Sequence, residues 1–429
     1  MSQFPRPPLM ALDDALAVLL DTVAPVWPSE RVTTFEADGR VLARTVVSGL
    51  HVPPHDNSSM DGYAVRLADL ALAAADQVVE LPVAQRIAAG HVGTVLQPRT
   101  VARIFTGAPV PQGADAVVMQ EDVTLLERDG MAFARFQSPP IVGAWIRRAG
   151  EDVKRGEPVL LAGRRLGPAE LGLAASLGLA ELEVACRPRV ALLSTGDELV
   201  MPGTVPPEAM PPGAIYNSNR FFLKALLKRF GCVVTDLGIV PDQRDATVAA
   251  LADAARTHDV ILTSGGVSVG EEDHIKPAVE HLGALGLWQI GMKPGKPFAH
   301  GHVNRPVQSD RADAPGAAHF IGLPGNPVSS FVTFLLLVRP FLLRMQGVQN
   351  VSCPSIRLPA HFAVPKADKR REFLRVRRNG QGGLDLFPNQ SSGVLTSAAW
   401  GDGVVDNPAG QVIAHGDMVR YLSFADLMA

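Results

Sequence analysis

Cysteine is scarce in this 429-residue sequence, which contains only Cys186, Cys232 and Cys353. The three residues are far apart, so no Cys-x-x-Cys pair is present to hold a metal ion or to perform dithiol chemistry. Three cysteines are also too few to build a disulfide scaffold. The sequence therefore excludes a disulfide-rich secreted module and indicates a reducing compartment.

Long apolar runs and an excess of one charge are also missing. The longest apolar stretch, 331–338, ends at Arg339, far short of the roughly 20 apolar residues that span a bilayer. Asp13, Asp14 and Asp21 interrupt the segment where a signal peptide needs an apolar core. The 40 Lys+Arg and 43 Asp+Glu residues give a net charge of −3, so no overall basic field would attract nucleic acid or an anionic membrane. We expect a soluble, cytoplasmic protein that binds neither.

The pattern of apolar residues divides the chain into three regions. From about residue 31 to 184, short strand candidates are separated by turns, and one helix begins at Pro168. From about residue 187, buried strands alternate with amphipathic helices up to Met345, and Asn326 followed by Pro327 marks the start of the last helix. After Gly347, short strands and turns return. The middle region therefore predicts βαβ units with a mostly parallel sheet, which binds ligands at the carboxyl ends of its strands.

A glycine-rich loop at 264–270 follows one of these buried strands directly. Its Ser264-Gly265-Gly266-Val267-Ser268-Val269-Gly270 sequence matches neither a Walker A loop nor the G-x-G-x-x-G fingerprint. Glycines at a strand end allow several backbone N–H groups to face one anion. The alternative is a tight turn without a ligand, and the position at a strand end favours a phosphate or oxyanion site.

Two lysines flank a Pro-Gly turn after the next strand candidate. Lys293 and Lys296, in Lys293-Pro294-Gly295-Lys296-Pro297, would lie close together, and lysine is a common phosphate ligand. The alternative is a solvated basic turn. Because the glycine loop belongs to the same predicted sheet, we favour a shared anion site.

Acidic residues follow three strand ends of the middle region. Glu198, Asp242 and Asp273 would meet at one edge if the sheet is parallel. Carboxylates beside phosphate oxygens are the ligands that Mg²⁺ prefers, although helix capping explains an acidic residue at a single position equally well. The set as a whole therefore predicts a magnesium site.

Several other segments remain ambiguous from the residues alone. Segments 54–65, 103–109 and 147–152 combine turn residues with charged ones, and each fits a simple turn as well as a site. His300 and His302 share a strand face without a third metal ligand, so solvated histidines are expected.

Two further segments are assigned to exposed positions. The basic run 366–378 predicts a solvated strand face rather than a nucleic-acid surface, since Phe373 is its only aromatic residue. The polar segment 302–318 predicts a mobile hairpin loop.

Taken in order, seven motifs resemble the molybdopterin molybdenumtransferase family, which includes the C-terminal module of gephyrin. They are Asn57-Ser58-Ser59-Met60-Asp61-Gly62-Tyr63-Ala64-Val65, Thr106-Gly107-Ala108-Pro109-Val110-Pro111, Arg148-Ala149-Gly150-Glu151-Asp152, Ser194-Thr195-Gly196-Asp197-Glu198-Leu199, the 264–270 glycine loop, the 293–297 lysine turn, and Leu323-Pro324-Gly325-Asn326-Pro327-Val328-Ser329. The match covers nearly the whole chain and is weaker after Gly347.

The resemblance implies a fold of α/β plus β type with several domains. An elongated N-terminal domain would span 1–55 and 140–183, with a small β domain inserted at 56–139. A three-layer α/β molybdopterin-binding domain with a mostly parallel sheet would follow at 184–345. A small, β-barrel-like C-terminal domain would occupy 346–429. The family also forms homodimers, in which a cleft lies between the α/β domain of one subunit and the N-terminal region of the other.

The reaction implied is insertion of molybdate into adenylylated molybdopterin, with Mg²⁺-dependent release of AMP and formation of molybdenum cofactor. Carried over from the family motifs, the catalytic residues would be Asp61, Thr106, Asp152, Glu198, Asp242 and Asp273, of which Glu198, Asp242 and Asp273 would hold Mg²⁺. Molybdate and the substrate would be bound by Arg147, Arg148, Ser264, Gly265, Gly266, Ser268, Gly270, Lys293, Lys296, Pro324, Asn326 and Ser392.

Two features depart from the family pattern, and two other functions compete with this one. Gln243 stands where many relatives have a second acid, and the 302–318 insertion is longer than usual. The adenylyltransferase of the preceding step shares the α/β domain but needs neither the Asp61 nor the Asp152 segment. A non-catalytic scaffold would not need both lysines and Asp273. The expected partners are a second copy of the chain, the molybdopterin adenylyltransferase and recipient molybdoenzymes.

Overall fold

The computed structural model describes residues 9–24, 27–75, 77–266, 274–305 and 316–429. Within these ranges the chain forms three successive regions, each with its own sheets and apolar core. The multidomain α/β plus β fold expected from the sequence is confirmed.

The N-terminal region is mostly β. Its helices are α1 (Leu12–Asp21) and α2 (Pro168–Ser176), with 3-10 turns at Thr34–Glu36, Leu67–Ala75 and Gln120–Asp122. Its strands are β1 (Ser29–Thr33), β2 (Val46–Val47), β3 (Asn57–Ser58), β4 (Gly62–Val65), β5 (Val79–Ile87), β6 (Val101–Ile104), β7 (Ala116–Met119), β8 (Thr124–Arg128), β9 (Met131–Phe136), β10 (Ile146–Arg147), β11 (Pro158–Leu160) and β12 (Glu181–Ala185).

The pairing of these strands is nested. Strand β1 pairs with β12, β2 with β11 and β3 with β10, all antiparallel. Between β3 and β10 the chain builds a six-stranded sheet in the order β7-β4-β6-β5-β9-β8. The two arms of the region therefore run side by side, and the segments on either side of the inserted sheet meet at β3 and β10.

The middle region alternates strands and helices. Its strands are β13 (Arg189–Thr195), β14 (Leu199–Val200), β15 (Ile215–Tyr216), β16 (Val233–Val240), β17 (Val260–Ser264), β18 (Gly283–Gln289), β19 (Met292–Lys293), β20 (Pro297–Asn304) and β21 (Ala317–Leu323). Its helices are α3 (Asn219–Arg229), α4 (Arg244–Thr257), α5 (Ile275–Leu282), α6 (Pro327–Thr333) and α7 (Arg339–Met345), with a 3-10 turn at Pro207–Ala209 and a π-helical segment at Phe334–Val338.

The central sheet has the order β16-β13-β17-β21-β20-β18. Its first four strands are parallel, and β20 and β18 are antiparallel. Alternate residues of β13 face two separate cores: Val190 and Leu192 pack toward α3 and α6, whereas Ala191 and Leu193 pack toward α4 and α5. Because both faces are covered, the inner strands β13 and β17 carry nearly continuous buried apolar runs, as the sequence indicated.

One continuous helical stretch, Pro327–Met345, has the length and apolarity of a membrane span, with a mean hydropathy of 1.6 over its best window. However, 83% of that window is buried inside the protein. Phe331 packs edge to face against Phe222 of α3, and Phe334 packs against Phe230. These contacts make the stretch a core helix of the middle region.

The C-terminal region is a small β domain. It contains β22 (Ile356–Pro359), β23 (Arg371–Arg378), β24 (Leu384–Leu386), β25 (Gly403–Asn407) and β26 (Met418–Ser423), with short helices α8 (Thr396–Trp400) and α9 (Phe424–Leu427). Its sheet has the order β19-β23-β25-β26-β22, so β19 of the middle region forms one edge of it. The C-terminal domain is thereby joined by backbone hydrogen bonds to the segment that carries Lys293.

Some expectations from the sequence were wrong. The basic run 366–378 is not a solvated strand face, since the 372–376 part of β23 is buried. Arg375 is 1% exposed, and its guanidinium donates to Ser397 Oγ (3.1 Å) and to the Phe373 carbonyl (3.0 Å). Buried guanidinium groups of this kind are tolerated because their hydrogen-bond donors are satisfied locally.

The two histidines of β20 have different environments. His302 is exposed, as expected, but His300 is only 8% exposed and packs between Trp288 and Phe341. The 302–318 segment connects two antiparallel strands, although its residues 306–315 lie outside the described part of the chain.

Candidate functional site

The carboxyl ends of the four parallel strands meet at one edge of the central sheet. Strand β17 ends at Ser264, and the Gly265 N–H donates to the Leu323 carbonyl (3.0 Å) at the end of the neighbouring strand. Gly265 and Gly266 have φ values of +94° and +67°, which favour glycine. A Cβ atom at Gly266 would lie 2.6 Å from Ile275 Cγ1 and 3.0 Å from Thr195 Oγ1. The turn therefore requires glycine there, for backbone conformation and for space.

The rest of this loop lies outside the described residues. Ser268, Gly270 and Asp273 fall in the segment 267–273, so their placement within the site stays a prediction. The described chain resumes at His274, directly before α5.

A buried asparagine that sequence reasoning missed joins two of the strand-end loops. Asn219 Nδ2 donates to Ser264 Oγ (2.7 Å) and to the Gly325 carbonyl (2.7 Å). It is the first residue of α3 and is 8% exposed. A polar residue at a helix start gives no sign of its burial, because its two partners lie 45 and 106 positions away along the chain.

The loop after β21 places Pro324 and Asn326 at the same edge. Pro324 is buried, whereas Asn326 is exposed and occupies the N-cap position of α6 without a capping hydrogen bond from its side chain. The Ser392 carbonyl accepts a hydrogen bond from Val328 N–H (2.9 Å) in the first turn of that helix. The C-terminal domain thus reaches the strand-end edge through Ser392, and the Asn326 amide is available to a ligand.

Two carboxylates flank the edge at the ends of neighbouring strands. Glu198 is exposed and follows β13, and half-buried Asp242 follows β16, which pairs with β13 in parallel. The Glu198 carboxylate lies over Gly196, where a Cβ atom would be 2.5 Å from Glu198 Oε2. Gly196 has a φ of +136°, so the backbone conformation also favours glycine.

The donor set at this edge fits Mg²⁺. Magnesium binds through one or two carboxylates together with phosphate oxygens and water, so Glu198 and Asp242 are suitable ligands for it. Among the described ranges, no group of three or more His, Cys, Asp or Glu side chains is arranged to hold a metal by itself. Phosphate and water oxygens would therefore complete the coordination.

The lysine turn packs tightly against α6. A Cβ atom at Gly295 would lie 2.3 Å from Thr333 Oγ1, so the turn is held close to the helix. The Lys296 carbonyl accepts from Ile290 N–H (2.7 Å), and its side chain is half-buried.

Lys293 has partners that the sequence did not reveal. Its Nζ contacts Glu372 Oε1 (2.9 Å) and Asp368 Oδ2 (3.1 Å), both from the C-terminal domain. The hydrogen bond to Glu372 is the main cause of the raised pKa of Lys293. Lys293 therefore links two domains, and its part in anion binding stays a prediction.

A second cluster of predicted site residues lies in the N-terminal region. Backbone hydrogen bonds connect the three ambiguous segments to one another. The Gly107 N–H donates to the Ser58 carbonyl (2.8 Å), and the Asp152 N–H donates to the Val52 carbonyl (3.0 Å). Arg147 of β10 pairs with Asn57 of β3. We refer to segments 52–65, 105–111 and 145–153 as the N-terminal cluster. The side chains of Arg147 and Asp152 are exposed on it.

Hydrogen bonds fix the acidic side chains of the N-terminal cluster. Asp61 Oδ1 accepts from the Thr106 N–H (2.8 Å) and from Thr106 Oγ1 (2.8 Å). The Thr106 backbone hydrogen bond is the main cause of the lowered pKa of Asp61. The side chains of Asp61 and Thr106, both predicted from the family motifs, are therefore in contact, and the Asp61 carboxylate is ionised at neutral pH.

Arg148 is held in the same way. Its Nη1 contacts Asp56 Oδ2 (2.6 Å), and the Ala149 N–H donates to Asp56 Oδ1 (2.8 Å). The latter bond is the main cause of the lowered pKa of Asp56. Asp56 thereby orients Arg148, a contact that the sequence motif did not indicate.

The predicted residues therefore fall into two groups. The first, which we call the strand-end edge, comprises Glu198, Asp242, Ser264, Gly265, Gly266, Pro324, Asn326 and Ser392, with Lys293 and Lys296 on the adjoining turn. The second is the N-terminal cluster with Asp61, Thr106, Arg147, Arg148 and Asp152.

Three family models match consecutive parts of the chain. Residues 10–178 match the MoeA N-terminal region (domain I and II), residues 191–344 match a probable molybdopterin binding domain, and residues 357–424 match the MoeA C-terminal region (domain IV). The last match covers the part where the sequence motifs are weakest.

Similar proteins extend over most of the chain. A molybdopterin molybdenumtransferase of Haemophilus influenzae is 40% identical over 384 residues, which are 87% of this chain and 88% of the relative. Another from Synechococcus elongatus is 36% identical over 94% of this chain and 96% of its own length. The crystal structure of a molybdopterin biosynthesis moeA protein from Pyrococcus horikoshii OT3 superposes with a TM-score of 0.82 at 28% identity, covering 97% of this chain and all of the other. The chain therefore belongs to the molybdopterin molybdenumtransferase family of transferases.

Proposed function

We propose that this protein inserts molybdate into adenylylated molybdopterin, with Mg²⁺-dependent release of AMP and formation of molybdenum cofactor. The observation that carries the proposal is the strand-end edge, where positive-φ glycines, two carboxylates and an uncapped helix start lie on neighbouring strands. Such an edge suits a phosphate group whose bond to a leaving group is to be cleaved. Molybdenum transfer in the named relatives supports the substrate class.

Each group at the edge has a role in this proposal. The backbone N–H groups around Gly265 and Gly266 bind the phosphates, and Asn326 orients the substrate with its free amide. Glu198 and Asp242, together with Asp273, hold Mg²⁺, which when bound neutralises charge that develops on the phosphate oxygens. Cleavage of an adenylyl phosphate needs positioning and charge neutralisation more than a covalent intermediate. Ser264, Ser268, Gly270, Pro324 and Ser392 complete the wall around the phosphates.

The N-terminal cluster supplies the second half of the site. Arg147 and Arg148, with Lys296 and Lys293 from the lysine turn, bind molybdate oxygens, since cations of this kind suit a tetrahedral oxyanion. Asp61, Thr106 and Asp152 face the reacting group from the other side. The lowered pKa of Asp61 supports a role for its carboxylate in the ionised form.

We further propose that the cleft is shared between two copies of the chain. The N-terminal cluster of one protomer would face the strand-end edge of the other in a homodimer. Apolar side chains on the N-terminal arm support a second copy as the occupant: Phe35 is 99% exposed, and Leu161 and Val47 are also exposed. Val47 of β2 and Leu161, which directly follows the paired strand β11, lie on neighbouring segments, and grouped exposed apolar side chains favour an interaction surface.

Cytoplasmic localisation fits this biosynthetic role. The molybdopterin adenylyltransferase would supply the substrate and recipient molybdoenzymes would accept the product.

The function is tested by AMP release from adenylylated molybdopterin on purified protein with Mg²⁺, with and without molybdate. We expect release that depends on molybdate, with a product that activates a cofactor-free molybdoenzyme. The adenylyltransferase alternative predicts a different reaction, in which ATP is consumed to form adenylylated molybdopterin and pyrophosphate is released. Tight substrate binding with no AMP release would favour the scaffold alternative. The intact N-terminal cluster argues against the adenylyltransferase alternative, and the presence of Lys293, Lys296 and Asp273 argues against the scaffold alternative.

A further inference from the structure

A cavity of about 550 Å³ lies at the opposite end of the central sheet from the strand-end edge. Arg189 and Val233, the first residues of β13 and β16, pair in parallel and form part of its wall. The candidate site instead follows the last residues of these strands, Thr195 and Val240. The cavity is therefore separate from the proposed catalytic residues and contains none of them.

The lining of the cavity carries an excess of positive charge. Arg40, Arg187 and Arg189 contribute three guanidinium groups against one carboxylate from Glu30. The ion pair between Arg40 and Glu30 neutralises that carboxylate. Arg187 and Arg189 are exposed, and neither has a side-chain ion pair with an acidic residue in the parts of the chain that the structure covers. A concave surface with two uncompensated arginines attracts an anion.

The wall of the cavity is fixed before any ligand binds. The Trp27 indole Nε1–H donates to the Cys186 carbonyl (2.7 Å), and Arg40 Nη2 donates to the Ala185 carbonyl (2.8 Å). Cys186 N–H in turn donates to the Pro28 carbonyl (2.8 Å). Arg40 is 6% exposed. Such preorganised walls reduce the entropy that a ligand loses on binding.

The lining also spans two regions of the molecule. Trp27 and Arg40 belong to the N-terminal region, whereas Arg189 and Val233 begin strands of the α/β domain. The segment that connects β12 to β13 passes between them and supplies Arg187. A ligand in the cavity would therefore contact both regions at their junction.

We propose that this cavity binds a small molecule that carries a phosphate monoester next to a planar ring, such as a mononucleotide. Its volume falls within the roughly 300 to 1,000 Å³ of small-molecule sites. Arg187 and Arg189 bind the phosphate, because guanidinium groups match phosphate oxygens in pairs. Trp27 offers an aromatic surface to the ring. The proposal uses no residue of the molybdenum-transfer site and does not depend on that function.

The test uses AMP as the probe on the full-length protein, with inorganic phosphate and adenosine for comparison. Tryptophan fluorescence and titration calorimetry report binding. We expect AMP to bind at least tenfold more tightly than either fragment, and the fluorescence change to disappear in Trp27→Phe. The double variant Arg187→Gln/Arg189→Gln should weaken AMP binding at least tenfold, whereas Arg31→Gln, a nearby exposed arginine outside the cavity, should not change it.

Two further measurements separate this cavity from the proposed catalytic site, where AMP would also bind as product. Lys296→Gln should leave the Trp27 fluorescence change intact, and the double arginine variant should keep the wild-type rate of molybdenum transfer and the wild-type thermal midpoint. A double variant that binds AMP with wild-type affinity, inorganic phosphate that binds as tightly as AMP, or a full fluorescence change in Trp27→Phe would each overturn the proposal.

Discussion

The N-terminal cluster and the strand-end edge are held in shape by different means. In the cluster, side-chain hydrogen bonds fix the charged groups, as Thr106 does for Asp61 and Asp56 does for Arg148. At the edge, glycine conformations and a buried asparagine fix the backbone, and Glu198 stays exposed. The difference indicates that the cluster presents preformed charges, whereas the edge presents a shaped backbone. Under the proposed function, the exposed Glu198 carboxylate would become ordered when substrate and metal bind.

The largest effect is expected where the backbone itself is changed. In Gly266→Ala the added Cβ would lie 2.6 Å from Ile275 Cγ1, at a φ of +67°. Displacement of the loop by a fraction of an ångström to 1 Å should lower the rate of AMP release on the order of 10²-fold.

Gly203→Ala is the matched control for this substitution. It carries the same backbone strain (φ +87°) but would meet no atom within 4 Å. Its rate should remain close to wild type, and equal losses in both variants would show that strain rather than the shape of the edge is responsible.

The second-largest fall in the rate of AMP release is expected for a change in the N-terminal cluster that leaves the fold intact. Asp61→Asn keeps the size of the side chain but removes the charge that Thr106 stabilises. We expect AMP release to fall roughly 10-fold to 100-fold, since electrostatic groups at a reacting phosphate act at this scale. Steady-state rates and circular dichroism melting curves measure both quantities.

Asp122→Asn, which changes an exposed acid on the Gln120–Asp122 turn, is the control. It should leave the rate unchanged. A wild-type rate in Asp61→Asn would remove the cluster from the reaction.

The pH dependence of the unfolding free energy separates the contribution of buried histidines in the core from that of the carboxylates in the N-terminal cluster and at the strand-end edge. Burial lowers the pKa of His300 to about 3 and that of His319 to about 4, from an ordinary value of 6.5. The unfolded chain therefore takes up protons below pH 6.5 that the folded chain does not. Stability is fully present above pH 6.5 and should fall by on the order of 1 to 3 kcal/mol as the pH drops toward 4.

Urea unfolding followed by tryptophan fluorescence between pH 8 and pH 4 measures this fall. His300→Phe removes a buried titratable imidazole and should flatten the dependence of the unfolding free energy on pH. His91→Asn, on an exposed turn, should not change it. An unchanged slope in His300→Phe would show that His300 does not contribute to the pH dependence.

The smallest effect is expected at the link between the lysine turn and the C-terminal domain. Glu372→Gln removes the charge of the buried partner of Lys293, whose own side chain is 41% exposed. Because solvent screens the lysine, we expect a loss of only about 1 kcal/mol of unfolding free energy in urea titrations. A simultaneous increase in affinity for molybdate would show that Glu372 competes with the anion for Lys293, and Glu127→Gln on the exposed β8 serves as control.

Much of the architecture could be predicted from local sequence. The alternation of strands and helices from about residue 187 and the helix that starts after Asn326 are observed where periodicity and capping residues predicted them. Apolar runs and Pro or Gly at helix ends are local signals, so a single sequence is sufficient. By contrast, Asp245 has the residue type of a helix cap, but α4 begins at Arg244 and Gln243 occupies the cap position. A two-position shift of this kind is within the ambiguity of end signals.

What could not be predicted depended on partners distant in sequence. Burial of His300 results from packing against Phe341, and burial of Arg375 results from its place in β23 at the centre of the C-terminal domain. The partners of Lys293 are 75 and 79 positions away. Residue type favoured solvent for His300 and Arg375, because charged and polar side chains are usually exposed, and it gave no sign of the acidic partners of Lys293. The strand-end edge was predictable because a parallel sheet gathers its loops at one side whatever their separation along the chain.

Subunit exchange tests most directly the claim that the N-terminal cluster of one protomer and the strand-end edge of the other act on one substrate. Asp61→Asn and Glu198→Gln proteins, each strongly impaired in AMP release alone, can be mixed and allowed to exchange subunits. In a symmetric dimer, one cleft of every mixed dimer regains both wild-type halves, so we expect recovery of roughly a quarter of wild-type activity. Absence of any recovery, with mixed dimers demonstrated by native mass spectrometry, would contradict the claim.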